Sequence, residues 1–104
     1  KARPIAVVPV GDNNVREALD VTQQLRRAGF AVELGFSGSL RKRLKHASKV
    51  GACAAVLLGE DELARRSATV RDLDTGEQTE VLLDSLTAHL ARYRQRSHGQ
   101  GSGK

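Results

Sequence analysis

Glu60, Asp61 and Glu62 stand together just after an apolar run, Ala54-Ala-Val-Leu-Leu58, that ends at Gly59. Neighbouring carboxylates can ligate a hard cation, divide acid and base roles, or accept hydrogen bonds from donors on a bound molecule. They can equally form a charged turn facing water, the ordinary fate of surface acids. Other chemistry-bearing residues are scattered. His46, His89 and His98 fall in separate segments, with no serine, cysteine or carboxylate spaced to complete a nucleophile, base and orienter set. Cys53 is the one cysteine, which excludes an internal disulfide and a cysteine-rich zinc site. Its place before an apolar run reads as a buried inert thiol in a reducing compartment. Gly35-x-x-Gly38-Ser lacks the lysine of a P-loop and the glycine spacing of a dinucleotide fingerprint, so it reads as a flexible connection. No catalytic constellation, resident metal or cofactor is expected in this chain.

The cations are less scattered. The chain carries a net charge of +5 and a pI near 10.0. Arg41, Lys42, Arg43, Lys45 and Lys49 fall in one short segment with no acid among them. Unpaired positive charge along a helix costs stability by like-charge repulsion unless solvent screens it or an anion uses it. A basic domain therefore points to a polyanionic partner. With Phe30, Phe36 and Tyr93 the only aromatics, the composition argues against a platform stacking several bases. A carboxylate at a sheet edge, with cations nearby to hold phosphates, suits the splayed bases of a single-stranded RNA loop.

The elements that must position these residues follow from periodicity. Ile5 to Val10 reads as a buried strand with Pro9 near its end, where a missing ladder donor is tolerated. Asn13 or Asn14 caps a helix whose apolar positions Val15, Ala18, Leu19, Thr22 and Leu25 recur at helical spacing, closed by Gly29. Phe30 to Leu34 is a second strand. Ser39 caps a basic helix from Leu40 to Val50, stopped by Gly51. The run from Ala54 to Leu58 is a third strand, placing the acids at the carboxyl edge where ligand sites of open α/β sheets lie. Ala68 to Leu73 and Gln78 to Leu82 flank Asp74-Thr-Gly-Glu77, a hairpin turn, and Asp84 or Ser85 caps a last helix. The expected fold is α/β: a single three-layer domain, with a five-stranded mixed sheet (three parallel strands then a β-hairpin) and three helices. The domain spans residues 1–94, followed by a Gly/Ser/Gln-rich tail, 95–104, expected to be disordered. No apolar stretch approaches the ~20 residues that span a bilayer, and Lys1-Ala-Arg-Pro4 is no leader. The abrupt start suggests a fragment of a longer cytoplasmic protein.

Several stretches resemble the C-terminal anticodon-binding domain of histidyl-tRNA synthetase, a family shared by the class II synthetases for histidine, threonine, proline and glycine. They are Val8-Pro-Val-Gly11, Leu25-Arg-Arg-Ala-Gly-Phe-Ala-Val-Glu-Leu34, Leu40 to Ala52, Val56-Leu-Leu-Gly-Glu-Asp-Glu-Leu63, Thr69-Val-Arg-Asp-Leu73 and Gly76-Glu-Gln-Thr-Glu-Val81. The likeness runs in register over residues about 4 to 93. It implies the same five-stranded sheet and a grip on the anticodon loop of a histidine-accepting tRNA, with no DNA or membrane partner. It implies base contacts at Glu62, Glu60, Arg71, Gly11 and Asp12. Arg41, Lys42, Lys45, Lys49, Arg65 and Arg66 would then meet phosphates. It places ATP and Mg in a catalytic domain outside these residues, in a parent that is a homodimer, so this chain alone would not aminoacylate. Two features depart from the family pattern. Ser48 replaces an aspartate of the basic helix, and Arg65-Arg66 replaces a turn often rich in Gly or Asn.

Two other readings compete. A stand-alone relative of the same domain would use the fold to bind RNA or protein in a regulatory or accessory role. A receiver-like signalling domain shares the βαβαβ start, but it would want a phosphate-accepting aspartate where this chain has Gly59-Glu60.

Overall fold

The computed structural model describes residues 3–11, 14–35 and 38–96. Five strands form one sheet in the order β2-β1-β3-β4-β5. β1 (Ile5–Pro9) lies parallel to β2 (Val32–Leu34) on one side and to β3 (Ala54–Leu58) on the other, with Ile5 opposite both Val32 and Ala54. β4 (Ser67–Asp72) returns antiparallel to β3, and β5 (Gln78–Leu82) antiparallel to β4. The expected mixed sheet, three parallel strands and then a hairpin, is therefore present. No helix among the described residues is long and apolar enough to cross a membrane.

The period of two along the strands divides the core. Ile5, Val7, Val56, Leu58 and Val70 point to one face, where they pack with Ala18, Val21 and Leu25 of α1 (Val15–Arg27) and Leu86 of α4 (Leu86–Leu90). Ala6, Val8 and Ala55 point to the other face, against Ala47 and Leu44 of α2 (Leu40–Lys49). Placing α1 and α2 on opposite faces is what two right-handed crossovers running in opposite directions along the sheet, β1 to β2 and β2 to β3, require. Cys53 is fully buried, its Sγ is 3.6 Å from the Pro4 carbonyl, and burial pushes its thiol pKa up. It is the inert thiol expected.

Both long helices close by the same device. Gly29 has φ +94°, and Phe30 N–H and Gly29 N–H donate to the carbonyls of Leu25 and Arg26. Gly51, at φ +84°, repeats this, with Ala52 N–H donating to Ala47 and Gly51 N–H to Ser48. These are Schellman closures, which satisfy the last helical carbonyls through a left-handed residue. The first corrects one strand boundary. Phe30 belongs to the helix cap, so β2 begins at Val32 and not at Phe30.

Two further differences matter for the site. The acidic triplet is not a bare turn but a fourth helix, α3 (Glu60–Ala64), so the three expected helices are joined by a short one. Asn14 occupies the N-terminal cap position of α1, yet its side chain does not cap. Its Nδ2 donates to the carbonyls of Val10 and Leu58 at 2.7 and 3.0 Å, tying the carboxyl ends of β1 and β3 together. Ser39 does cap α2, its Oγ accepting from Lys42 N–H.

At the opposite end of the sheet, Arg3 and Arg96 fasten the first and last described residues. Gln95 completes a 3-10 turn (Ala91–Gln95), and the Arg96 guanidinium bonds to both Asp72 and Asp74. Arg3 bonds to Asp74 and to the carbonyls of Gly51 and Ala52. The rest of the expected disordered tail, 97–104, lies outside the described residues.

Candidate functional site

α2 covers only the β1 and β3 part of its sheet face. On the remaining part, β4 and β5 carry polar side chains where the opposite face carries Ala68, Val70 and Val81. Register fixes the arrangement. Thr69 stands opposite Leu57 and Glu80, and Arg71 opposite Ala55 and Gln78. Thr69, Arg71, Gln78 and Glu80 thus share one uncovered surface.

A groove of about 290 Å³ opens at its carboxyl edge. Its floor is Leu57 and Thr69, and Val10 and Leu40 form its apolar side. Glu62 and Gln78 are its polar groups, with Gly59 beneath Glu62. α3 supplies Glu62, because one helical turn after Gly59 brings position 62 back over the strand end. Ser67 lies beneath that turn, its Oγ 3.1 Å from the Glu62 carbonyl and against Glu80. Among the described residues no side chain donates to the Glu62 carboxylate, which is half-buried. Across the groove, Arg71 Nη1 donates to Gln78 Oε1 at 2.9 Å. Arg71 engages the acceptor end of that amide, so what it can still offer a ligand is its Nε2 donor.

Arg43 sets the rotation of the basic helix. It donates to the carbonyls of Pro9 and Gly38, on the β1 and β2 side. At about 100° per residue, Arg41 falls about 160° from Arg43, on the opposite flank beside the groove residue Leu40, whereas Lys45 falls only about 40° from Lys49. Lys42, Lys45 and Lys49 are exposed on the side of the helix away from buried Ala47. Among the described residues these four cations form no ion pair.

The expected site residues therefore divide. Glu62 lines the groove, and Arg71 reaches it through Gln78. Gly11, at φ +96°, follows the groove residue Val10. Glu60 is exposed at the start of α3 and does not line the groove, and Asp12 lies outside the described residues. Arg65 is not free for a phosphate in this structure. It grips Glu80 with Nε and Nη2 at 2.9 and 3.1 Å, and Arg65 and Ser67 hold Glu80 below the usual carboxylate range. Arg66 is exposed, with φ +56°. Sequence reading missed Gln78, Thr69 and Leu57. The available signal was the alternation in Ala68-Thr-Val-Arg71, together with a hairpin turn that pairs Arg71 with Gln78.

Among the described residues no group of three or more His, Cys, Asp or Glu side chains is placed to hold a metal ion. A basic α/β domain with a small groove at the strand ends and cations on its flank defines a binding module for an anionic ligand. The model of the anticodon binding domain family matches residues 4–93, and the chain belongs to that family. It is similar to histidine–tRNA ligases of Gluconacetobacter diazotrophicus, 46% identical over 89 residues and 86% of the chain, and of Rhodospirillum rubrum, 44% identical over 91 residues and 88% of the chain. The chain spans only 21% and 22% of those relatives. The crystal structure of histidyl-tRNA synthetase from Nostoc sp. PCC 7120 superposes with a TM-score of 0.82 at 35% identity, over 88% of this chain and 22% of that one. The RNA binding domain of threonyl-tRNA synthetase from Cryptosporidium parvum Iowa II, at 24% identity and TM-score 0.80 over 92% of this chain and 24% of that one, shares the fold.

Proposed function

We propose that this chain is the anticodon-binding module of a histidine–tRNA ligase. The loop of a histidine-accepting tRNA would lie along the uncovered surface of β4 and β5, with one base in the groove. Arg41 would meet the phosphates, and Lys42, Lys45, Lys49 and Arg66 would extend the positive field. Arg65 contributes only if an incoming phosphate displaces Glu80. Glu60, Gly11 and Asp12 would border the bases and not enclose one. ATP, Mg and the aminoacylation chemistry belong, in this proposal, to a catalytic domain of a homodimeric cytoplasmic parent. The module's task is to hold its tRNA in place for that domain.

One observation carries the reading: the half-buried carboxylate of Glu62 and the oriented amide of Gln78 line one groove beside an unpaired cationic helix flank. Cations without a groove would bind any polyanion, whereas paired polar groups in a groove select. The test is equilibrium binding of anticodon stem-loops across a salt series. A histidine anticodon stem-loop should bind more tightly than loops of altered sequence on the same stem. Equal binding of all loops at every salt concentration overturns the proposal.

A further inference from the structure

At the other end of the sheet, where β1 and β2 begin, lies another cavity, of about 120 Å³. Its lining includes buried Ile5 and Tyr93, half-buried Phe30, exposed Ala31 and two arginines, Arg3 and Arg94. That is room for one aliphatic or phenyl side chain, since an apolar cavity of about 150 Å³ takes benzene. The arginines at this end are sorted by partner. Arg3 and Arg96 are paired with Asp72 and Asp74. Arg26, Arg27, Arg92 and Arg94 meet no carboxylate among the described residues. Each is nevertheless held, by a neutral acceptor: Arg26 by the Val32 carbonyl, Arg27 by the Gln23 amide oxygen, Arg92 by the His89 carbonyl and Arg94 by the Ala28 carbonyl. A neutral acceptor leaves the charge uncompensated while it restrains the side chain, which lowers the ordering cost of binding an anion.

Arg94 joins the two features. Its guanidinium lies over the Phe30 ring, 4.1 Å from the centroid, and lines the cavity. Only its Nη2 is engaged, so Nε and Nη1 remain for an incoming carboxylate or phosphate. Arg26 and Arg27 stand just before Ala28, whose carbonyl Arg94 holds, and Arg26 reaches the carbonyl next to Ala31. The cavity selects between protein and RNA. No lining side chain offers a carboxylate or amide acceptor, so the amino groups of a base placed there would leave water without a partner. One face of Phe30 is already covered by Arg94, which removes it as a stacking platform. An apolar side chain meets neither penalty, and its burial is favourable.

We propose that this cavity is a docking site for an acidic segment of a partner protein. One aliphatic or phenyl side chain of that segment enters beside Ile5, Phe30 and Ala31, and carboxylates on either side of it pair with Arg94, Arg26 and Arg27. The site lies at the opposite end of the strands from the groove of Glu62 and Gln78, so the partner and an RNA loop could be held at once.

The experiment titrates the isotopically labelled full chain with end-blocked nonapeptides and follows its backbone amide shifts by NMR. The probe has a central leucine flanked on both sides by glutamates, and its control has alanine at the centre. The leucine peptide should shift the amides of Gly29, Phe30 and Ala31 and bind on the order of tenfold more tightly than the alanine peptide. Ala31→Leu, which fills the cavity from an exposed position, should abolish that difference. Arg94→Gln should weaken both peptides and flatten their salt dependence. The comparison of the two peptides needs no variant, so it decides the matter even where Ala31→Leu disturbs the fold. Equal binding of the two peptides, or shifts confined to α2, overturns the proposal. A nine-nucleotide oligouridylate that shifts Gly29, Phe30 and Ala31 and displaces the leucine peptide makes this end of the sheet an RNA contact and equally overturns it.

Discussion

A methyl group on Gly59 would overlap Oε1 of Glu62, so the carboxylate that faces the groove rests directly on the residue that opens α3. Gly59 sits at φ −94° and ψ 162°, extended backbone open to any residue. Glycine is needed there for space and not for conformation. Gly59→Ala should leave stability within about 0.5 kcal/mol of the parent, because the displaced atoms are the end of a flexible side chain. It should nonetheless move the carboxylate out of the groove and cut base discrimination by on the order of tenfold. Thermal unfolding alongside stem-loop titration checks this. A variant that melts normally and keeps its selectivity would show that Glu62 does not need its present position.

The opposite end of the sheet predicts an acid-sensitive clamp. Asp72 is buried and accepts from both Arg96 Nη atoms and from the backbone N–H groups of Asp74 and Thr75, so its pKa falls from 3.8 to about 2, the Arg96 bonds being the largest cause. A carboxyl whose pKa is lower folded than unfolded stabilises the fold above its unfolded value. That contribution, about 2 kcal/mol from the size of the shift, is complete above pH 4 and is lost as pH falls toward 2. Asp72→Asn should lose about that much at pH 7, and its stability should converge with that of the parent near pH 2. Urea unfolding at both pH values measures it. A constant gap between the two proteins across that range would remove the ion pair as the cause.

Arg66 occupies the left-handed region at φ +56°, between α3 and β4, where a side chain is strained and glycine is not. Its N–H donates to Leu63 and its carbonyl accepts from Leu83 N–H at 2.8 Å, so the turn cannot relax without breaking the link to the chain after β5. Arg66→Gly should raise stability by up to about 1 kcal/mol, the relief of strain being partly offset by glycine's greater freedom when unfolded. Arg66→Ala, which removes the same charge but keeps the β-carbon, should give no such gain. Chemical denaturation of the pair separates conformation from charge.

The strands, their order of direction and both long helices were legible because each obeys a local rule. Ile5–Pro9 and Ala54–Leu58 are unbroken apolar runs, and Gly29 and Gly51 stand where helices must close. The family was legible from stretches spread along the chain. Boundaries were less so: Phe30 looks like a strand residue, but the cap of α1 claims its N–H. α3 was hidden because five residues carry no helical period, and three acids read as a turn until the strand end behind them is in place. Gln78 was missed for a different reason. Nothing local marks it, and it matters only because hairpin register sets it against Arg71 and the packing of α2 leaves that surface uncovered. Asn14 likewise looked like a cap and became a bridge once β1 and β3 were neighbours.

The same packing of α2 makes a prediction about its cations that charge counting cannot make. Arg41, Lys42, Lys45 and Lys49 are alike in sequence, and removing any one of them changes net charge equally. Their directions differ, because Arg43 is fastened to the Pro9 and Gly38 carbonyls and so fixes the helix's rotation. Arg41 lies on the flank beside the groove residue Leu40, whereas Lys49 points outward and lies about 14 Å along the helix axis from Leu40. A phosphate contact on single-stranded RNA releases about 0.7 of a counterion, whereas a distant charge adds only a screened field. Arg41→Gln should therefore reduce the slope of log affinity against log salt by about 0.7, and Lys49→Gln by much less. Stem-loop titrations of the two variants between about 50 and 200 mM salt decide it. Equal slopes would mean that the RNA feels the helix only as a diffuse charge, and that the uncovered surface of β4 and β5 is not where it lies.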